Sequence, residues 1–216
     1  MDSKIKGESF VHIPVGMVML EGALEIPEGA KGIVLFAHGS GSSRHSPRNN
    51  YVARVLRNNG LGTLLLDLLT PEEDLNYEMR FNIDLLAERL IAATKWLMEV
   101  DEAKRLNVGY FGASTGAAAA IETAASMGDK VSAVVSRGGR PDLAWPYLDS
   151  IKAPTLMIVG RHDDVVIGLN EKALREINAV KKMEIVPGAT HLFEEPGTLE
   201  AVAGLASAWF VKYLNK

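Results

Sequence analysis

The sequence predicts a doubly wound α/β fold, in which a mostly parallel sheet carries helices on both faces. Short apolar runs alternate with stretches of helical periodicity along the chain. Most of these runs are apolar throughout, which is typical of parallel strands that are covered on both sides. Strands that alternate with helices form βαβ units with right-handed crossovers, and these units build such a sheet.

Eight segments have the composition of strands. Two early stretches, Ser9–Pro14 and Met17–Ile26, indicate an antiparallel pair at one edge of the sheet. The six buried runs that follow are predicted at Gly32–Ala37, Leu61–Leu66, Asn107–Phe111, Val131–Val135, Pro154–Val159 and Lys182–Val186.

The helices between these runs have recognisable ends or faces. Ser46 can cap a helix with Pro47 in its first turn, and Gly60 stands beyond its end. The next helix has an apolar stripe at spacings of three and four, formed by Ile83, Leu86, Leu90, Ala93 and Leu97. The last helix places on one face Val202, Leu205, Trp209 and Tyr213.

Composition indicates one globular domain over residues 1–216, with 47% hydrophobic and 23% charged residues. A net charge of −4 disfavours nucleic acid as a partner, because phosphate binding requires a basic surface.

No apolar run approaches the ~18 residues of a membrane span, and the first ten residues lack the apolar region of a secretory signal. We therefore expect a cytoplasmic protein. The absence of cysteine excludes disulfides, thiol catalysis and cysteine–zinc sites.

Ligands of doubly wound sheets bind beyond the carboxyl ends of the strands, so the residues that follow each run are the candidates. Residues 112–116 read Gly-Ala-Ser-Thr-Gly between a strand and an alanine-rich helix. This is G-x-S-x-G in the strand–turn–helix context of a nucleophile elbow, which presents Ser114 at the tip of a sharp turn. The alternative is an ordinary Gly/Ser turn, but the strand, the helix and the small residues favour the elbow.

Two carboxylates follow the run at 154–159, where residues 160–166 read Gly-Arg-His-Asp-Asp-Val-Val. Either Asp163 or Asp164 could orient a histidine, and both could also be solvated loop residues or helix caps. A metal site formed by His162 with these two aspartates is a weak alternative, because three adjacent residues rarely converge on one ion.

His191 lies in the loop after the last strand, from which it can reach back to Ser114. The other histidines are weaker candidates for a general base. His12 is expected on the surface of a strand, His45 in a loop that borders the site, and His162 is expected to point away from it. His38 is expected to hold its loop by hydrogen bonding.

The loop at 38–44 follows a central strand and is rich in glycine and serine. We expect it to supply one N–H of an oxyanion hole, and Thr115, directly after the nucleophile, to supply the other. Gly39 and Gly41, with Asp67 at the end of the next strand, also resemble a dinucleotide fingerprint. Arg44 stands where its third glycine belongs, however, and that interpretation leaves Ser114 and His191 unexplained. No Gly-rich segment ends in the Gly-Lys-Ser/Thr of a P-loop.

The chain resembles the dienelactone-hydrolase-like branch of the α/β-hydrolase superfamily over nearly its whole length. The segments that carry the resemblance are LFAHGSGSSRHSPRN, LLLDLLT, GYFGASTGAAAA, VGRHDDVV and PGATHLFEEPG. The order serine, acid, histidine along the chain is the order of that superfamily. In similar proteins the acid stands three residues after a strand-ending glycine and three before a valine, which selects Asp163. In the family the residue after His-Gly supplies the oxyanion N–H, here Ser40.

The resemblance implies a serine carboxylesterase that acts on a small-molecule ester without cofactor or metal. Dienelactone hydrolases proper use a cysteine nucleophile, so the serine favours simple carboxylic esters. An acyltransferase with the same acyl-enzyme, and a non-catalytic binding protein with this fold, are the alternatives.

The segment Ser136–Ala153 is too short for a cap domain, which predicts an open, shallow pocket and a preference for short-chain acyl groups. Its walls are expected at Gly41–Asn50 and Arg137–Tyr147. Arg44 and Arg137 could favour a substrate with an anionic group. The oligomeric state is left open.

Overall fold

A single eight-stranded sheet forms the centre of the computed structural model, which describes residues 9–215. The predicted lack of a secretory signal rests on the first ten residues, of which 1–8 lie outside this range. In chain order the strands are β1 Ser9–Val15, β2 Val18–Glu25, β3 Gly32–Ala37, β4 Gly62–Leu66, β5 Asn107–Ala113, β6 Val131–Arg137, β7 Thr155–Gly160 and β8 Lys181–Val186.

Across the sheet the strands lie in the order β1-β2-β4-β3-β5-β6-β7-β8. The pairs β1–β2 and β2–β4 are antiparallel, and the other neighbours are parallel. The chain passes from β3 to β4 on one side and then returns to β5 on the other. The loops after β3 and β5 therefore diverge, which opens the crevice where ligands of such sheets bind.

Helices cover both faces of the sheet. They are α1 Pro47–Asn58, α2 Pro71–Asp74, α3 Ile83–Leu97, α4 Thr115–Met127, α5 Asp164–Glu176 and α6 Thr198–Leu214. Buried side chains of α1 and α6 pack on one face, and those of α3, α4 and the end of α5 pack on the other. This arrangement confirms the predicted doubly wound α/β class.

The helix signals in the sequence correspond to hydrogen bonds and burial. The Ser46 hydroxyl accepts from the N–H of Asn49 at 3.3 Å, so it caps α1 as predicted. All five residues of the apolar stripe on α3 are buried. On α6 the predicted face is confirmed, because Val202, Trp209 and Tyr213 are buried in one cluster and the half-buried Leu205 packs against it. Phe210, which the prediction left out, is fully buried in the same cluster.

Several short elements have no counterpart in the prediction: α2 and the 3-10 helices Met79–Phe81, Gly128–Lys130 and Pro141–Tyr147. The last of these is the only helical element described between β6 and β7, so a cap domain is absent there. Within residues 9–215 no helix is long and apolar enough to span a bilayer.

Candidate active site

Ser114 lies between β5 and α4 in a backbone conformation that L-residues rarely adopt, with φ 51° and ψ −118°. Such strain persists only where the surroundings enforce it. Here the Ser114 N–H donates to the carbonyl of Arg137 at 3.2 Å, and its own carbonyl accepts from the N–H of Arg140 at 3.1 Å. The end of β6 and the loop after it therefore hold the turn from both sides, and the elbow presents a half-buried serine at the edge of the sheet.

The two glycines of the motif make this turn possible. A Cβ atom at Gly112 would lie 2.7 Å from the carbonyl oxygen of Gly116, and one at Gly116 would collide with the carbonyl oxygen of Ala37. The helix α4 thus passes against β3 and β5 more closely than any larger residue allows. The spacing in G-x-S-x-G has a steric cause in this fold.

His191 and Asp163 form a direct pair, with Nδ1 and Oδ2 2.6 Å apart. The carboxylate side chain is 14% exposed and the imidazole 39% exposed. Asp163 directly precedes α5, but its side chain makes no capping hydrogen bond. It is therefore committed to the histidine, whereas the rival Asp164 is exposed in the first turn of α5.

The loop that carries His191 is positioned by its own contacts and by β7. The N–H and hydroxyl of Thr190 donate to the Glu195 carboxylate at 3.1 and 2.6 Å. Mainly the hydroxyl bond lowers the pKa of Glu195. The loop also rests on Gly160, where a Cβ would lie 2.5 Å from the carbonyl oxygens of Ala189 and Thr190. Sequence reasoning missed Glu195, which stands five residues after Thr190 and has no local pattern to mark it.

The imidazole of His191 lies against Gly138, where a Cβ would be 3.3 Å from Cε1 and Nδ1. Gly138 follows the residue whose carbonyl binds the Ser114 N–H, so the loops bring His191 into the neighbourhood of the serine. No hydrogen bond between Ser114 Oγ and the imidazole occurs within residues 9–215. Catalytic hydrogen bonds are often long in unliganded enzymes and shorten with substrate bound.

Ser40 and Thr115, the predicted oxyanion donors, lie side by side. The Ser40 N–H donates to Oγ1 of Thr115 at 2.9 Å. The N–H of Thr115 is in the first turn of α4, where amides have no intrahelical acceptor. A Cβ at Gly39 would lie 3.2 Å from Ser114 Cβ, which shows how closely this loop approaches the elbow. To act in an oxyanion hole, the Ser40 N–H would have to donate to a substrate oxygen in place of Thr115 Oγ1.

The predicted role of His38 is confirmed. Its Nδ1 lies 3.0 Å from the carbonyl oxygen of Gly39, and its Nε2 accepts from the N–H of Leu68 at 3.3 Å. His12 and His162 are exposed, as expected. His45 is also exposed, and it borders a cavity of about 280 Å³ shared with Phe10 rather than with Ser114.

The expectation that Arg44 favours an anionic substrate group needs correction. Arg44 binds Glu21 at 2.6 Å and also pairs with Asp67, so its charge is already neutralised and it offers no site for an anionic substrate group. The cavity of about 200 Å³ beside His38 is lined by part of the predicted wall at 41–50 and by the segment 67–74. Ser114, Asp163 and His191 are not among the residues that line this cavity. The predicted wall at Arg137–Tyr147 borders the candidate site through Gly138, which contacts the His191 ring.

The described residues include no group of three His, Asp or Glu side chains placed to hold a metal ion. His162 is exposed and Asp163 is bound to His191, so the two do not converge with Asp164. The dinucleotide alternative also loses its main element, because Asp67 binds Arg44 and α1 begins only at Pro47.

The family model described as the dienelactone hydrolase family matches residues 21–211. The chain belongs to the dienelactone hydrolase family. A crystal structure of a dienelactone hydrolase from Anabaena variabilis is 58% identical, covers 96% of this chain and 98% of that chain, and has a TM-score of 0.94. An α/β serine hydrolase without lid from Xanthomonas campestris has a TM-score of 0.78 at 18% identity, with 97% and 96% of the two chains covered. That second likeness concerns the fold alone.

A curated relative, named a putative phosphoribosyl transferase of Mycobacterium tuberculosis, is 57% identical over 204 residues. The match covers 94% of this chain and 46% of the relative, so the chain spans about half the length of that protein. The family and its structures show an α/β hydrolase.

Proposed function

We propose that this chain is a serine hydrolase that cleaves small carboxylic esters through an acyl-Ser114 intermediate. The observation that carries the proposal is the strained elbow at Ser114, next to a loop in which His191 is bound to Asp163 at 2.6 Å. A solvated turn has no need of a rare backbone conformation, and a helix-capping aspartate would bind an amide rather than an imidazole.

In the first half-reaction His191 Nε2 accepts the proton of Ser114 Oγ while Oγ bonds to the carbonyl carbon of the ester. Asp163 keeps the proton on Nδ1 and stabilises the imidazolium that forms. The Nε2 proton then passes to the alcohol oxygen as the C–O bond breaks. A water molecule then attacks the acyl carbonyl carbon while His191 Nε2 accepts its proton. The histidine returns this proton to Ser114 Oγ as the acyl bond breaks, which releases the acid and restores the serine.

The N–H groups of Ser40 and Thr115 would stabilise the tetrahedral oxyanion. One such donor is worth about 3–4 kcal/mol where it has been removed from related enzymes. In the free protein Thr115 Oγ1 accepts from the Ser40 N–H. A rotation of the Thr115 side chain would release this N–H, and threonine in a helix has two accessible χ1 rotamers.

The absence of a cap domain between β6 and β7 supports an open site and a preference for short acyl chains. The testing assay compares p-nitrophenyl acetate, butyrate and a long-chain ester, with wild type, Ser114→Ala and His191→Ala, in the presence and absence of EDTA. We expect metal-independent turnover that is fastest on the short esters and almost lost in both variants. Turnover that survives in Ser114→Ala would refute the proposal.

A further inference from the structure

Arg137, the last residue of β6, has a buried guanidinium without a partner. The residue is 8% exposed, and its side chain makes no hydrogen bond or ion pair with any of residues 9–215. Arg89 is buried to the same degree but binds Glu73 at 2.9 Å. A buried charge is normally paired, because removing it from water is costly unless a counter-ion replaces the lost solvation. Arg137 is the exception.

A second arginine lies near the first. Strand alternation places the Arg137 side chain on the same face as Val135, where α1 packs, and Arg48 lies in the first turn of α1. Burial and the positive charge of Arg48 lower the pKa of Arg137 to about 10, so the group stays protonated at neutral pH. Arg48 pairs with Glu194, whose side chain is 63% exposed. The Nε atom of Arg48 is buried without a hydrogen-bond partner.

The chain segments that carry these two cations adjoin the candidate catalytic residues. The carbonyl of Arg137 accepts the Ser114 N–H, and the next residue, Gly138, contacts His191. Glu194, the partner of Arg48, is three residues beyond that histidine. The N-terminal end of α1 adds positive potential at the same place. An anion held here would lie at the same edge of the sheet as the ester carbonyl that the serine attacks.

We propose that Arg137 and Arg48 form a subsite for an anionic group of the substrate, either a phosphate or a carboxylate. The assignment rests on the proposed ester hydrolysis at Ser114. A guanidinium presents parallel N–H donors that match two oxygens of either group, and the orphaned Nε and Nη1 of Arg137 are donors of this kind. The bound anion would supply the counter-charge that the protein itself does not provide.

The first test measures binding without turnover. Thermal unfolding is followed in an anion-poor buffer and with added inorganic phosphate or glutarate, for wild type, Arg137→Met and Arg137→Lys. We expect either anion to raise the Tm of wild type and to lose this effect in Arg137→Met, while Arg137→Lys keeps part of it. Without added anion, Arg137→Met should unfold at a higher temperature than wild type, because it removes an uncompensated charge. If the arginine had only a structural role, Arg137→Met would instead unfold at a lower temperature than wild type.

The second test measures preference with three matched esters: phenyl acetate, 4-acetoxybenzoate and 4-acetoxyphenyl phosphate. Wild type should favour one anionic ester in kcat/KM. In Arg137→Met the ratio of kcat/KM for that ester to kcat/KM for phenyl acetate should fall by roughly tenfold or more. The favoured ester tells phosphate from carboxylate. Arg175→Met, which removes a charge from the exposed end of α5, is the control for net charge and should keep the preference.

The outcomes separate the two proposals. An anion effect on Tm that survives in Arg137→Met, or the absence of any anion effect in wild type, would overturn the subsite. So would a preference that persists in Arg137→Met. An anion effect that depends on Arg137, in a protein that hydrolyses none of the three esters, would leave the subsite standing and refute the esterase.

Discussion

At the scale of single residues, the site depends on which of two adjacent carboxylates faces the histidine. Asp163 is partly buried and bound to His191, whereas Asp164 begins α5 and is exposed. The sequence alone left the two open, and only the family spacing selected Asp163. The structure separates them physically, because the turn into α5 directs one side chain to the imidazole and the other to solvent.

This difference predicts unequal effects of the same substitution. Asp163→Asn should lower kcat on p-nitrophenyl butyrate by about 10⁴-fold, because an amide can favour the wrong tautomer of His191 and cannot stabilise its cation. Asp164→Asn, the matched control, should stay within about twofold, since an exposed carboxylate contributes little. Steady-state kinetics of the two variants decide it. Equal losses, or a larger loss in Asp164→Asn, would reassign the orienting acid.

Other features at this scale were beyond the sequence. The donation of the Ser40 N–H to Thr115 and the pairing of Arg44 with Glu21 join residues 75 and 23 positions apart. Such contacts depend on how loops approach each other and on side-chain rotamers, which no local pattern records. Candidate residues could be nominated from strand ends, but their partners could not.

At the scale of elements, the loop after β8 is fitted to the end of β7. Gly160 ends β7 in close contact with the carbonyl oxygens of Ala189 and Thr190. This contact sets how closely the loop that carries His191 approaches the end of β7. The glycine is required for its small size, because its φ is not in the left-handed region. Its role is therefore steric, and a single methyl group should disturb the loop.

Gly160→Ala should destabilise the protein by about 1–3 kcal/mol and lower the proposed esterase activity, because the methyl group must displace the loop backbone. Gly168→Ala is the matched control, since a Cβ there meets no atom within 4 Å and Gly168 lies inside α5. That variant should gain up to about 1 kcal/mol from helix propensity and keep its activity. Urea unfolding and the same ester assay measure both. An active, fully stable Gly160→Ala would show that the contact is not rigid.

The elements that sequence could predict are those with a strong local pattern. Uninterrupted apolar runs located the strands of the sheet within a residue or two of their bounds, as at Gly32–Ala37. The helix α2 has four residues, too few for a periodic stripe to appear. Its capping box between Thr70 and Glu73 is the one signal that could have located it.

At the scale of the whole molecule, the reversal of strand order beside β3 explains why the candidate residues meet. Ser40 follows β3, Ser114 follows β5, and the carboxyl ends of β7 and β8 bring Asp163 and His191 to the same edge. The α/β class predicted this edge from the alternation of strands and helices alone. The lining of the cavity beside His38 was less predictable, because the residues of segment 67–74 that contribute to it have no sequence signal for a wall.

The helix that follows the nucleophile holds a buried acid that affects global stability. Glu122 on α4 is 8% exposed and faces Tyr147 and Asp84. Burial and the repulsion of Asp84 raise its pKa, although a hydrogen bond from Tyr147 opposes the shift. The folded protein therefore holds this proton more tightly than the unfolded chain does.

The sign of the pH effect follows from this linkage. A raised pKa contributes stability that is fully present below the unfolded value, near 4.5, and is lost as the pH rises through the folded value. Glu122→Gln keeps the shape without the charge, so it should be more stable than wild type at pH 7 and lose this advantage towards pH 4. Denaturant unfolding across that range measures the difference. Glu88→Gln, on an exposed position of α3, is the control and should show no such trend. A Glu122→Gln variant that is less stable than wild type at pH 7 would mean that the carboxylate is paired and stabilising in the folded state.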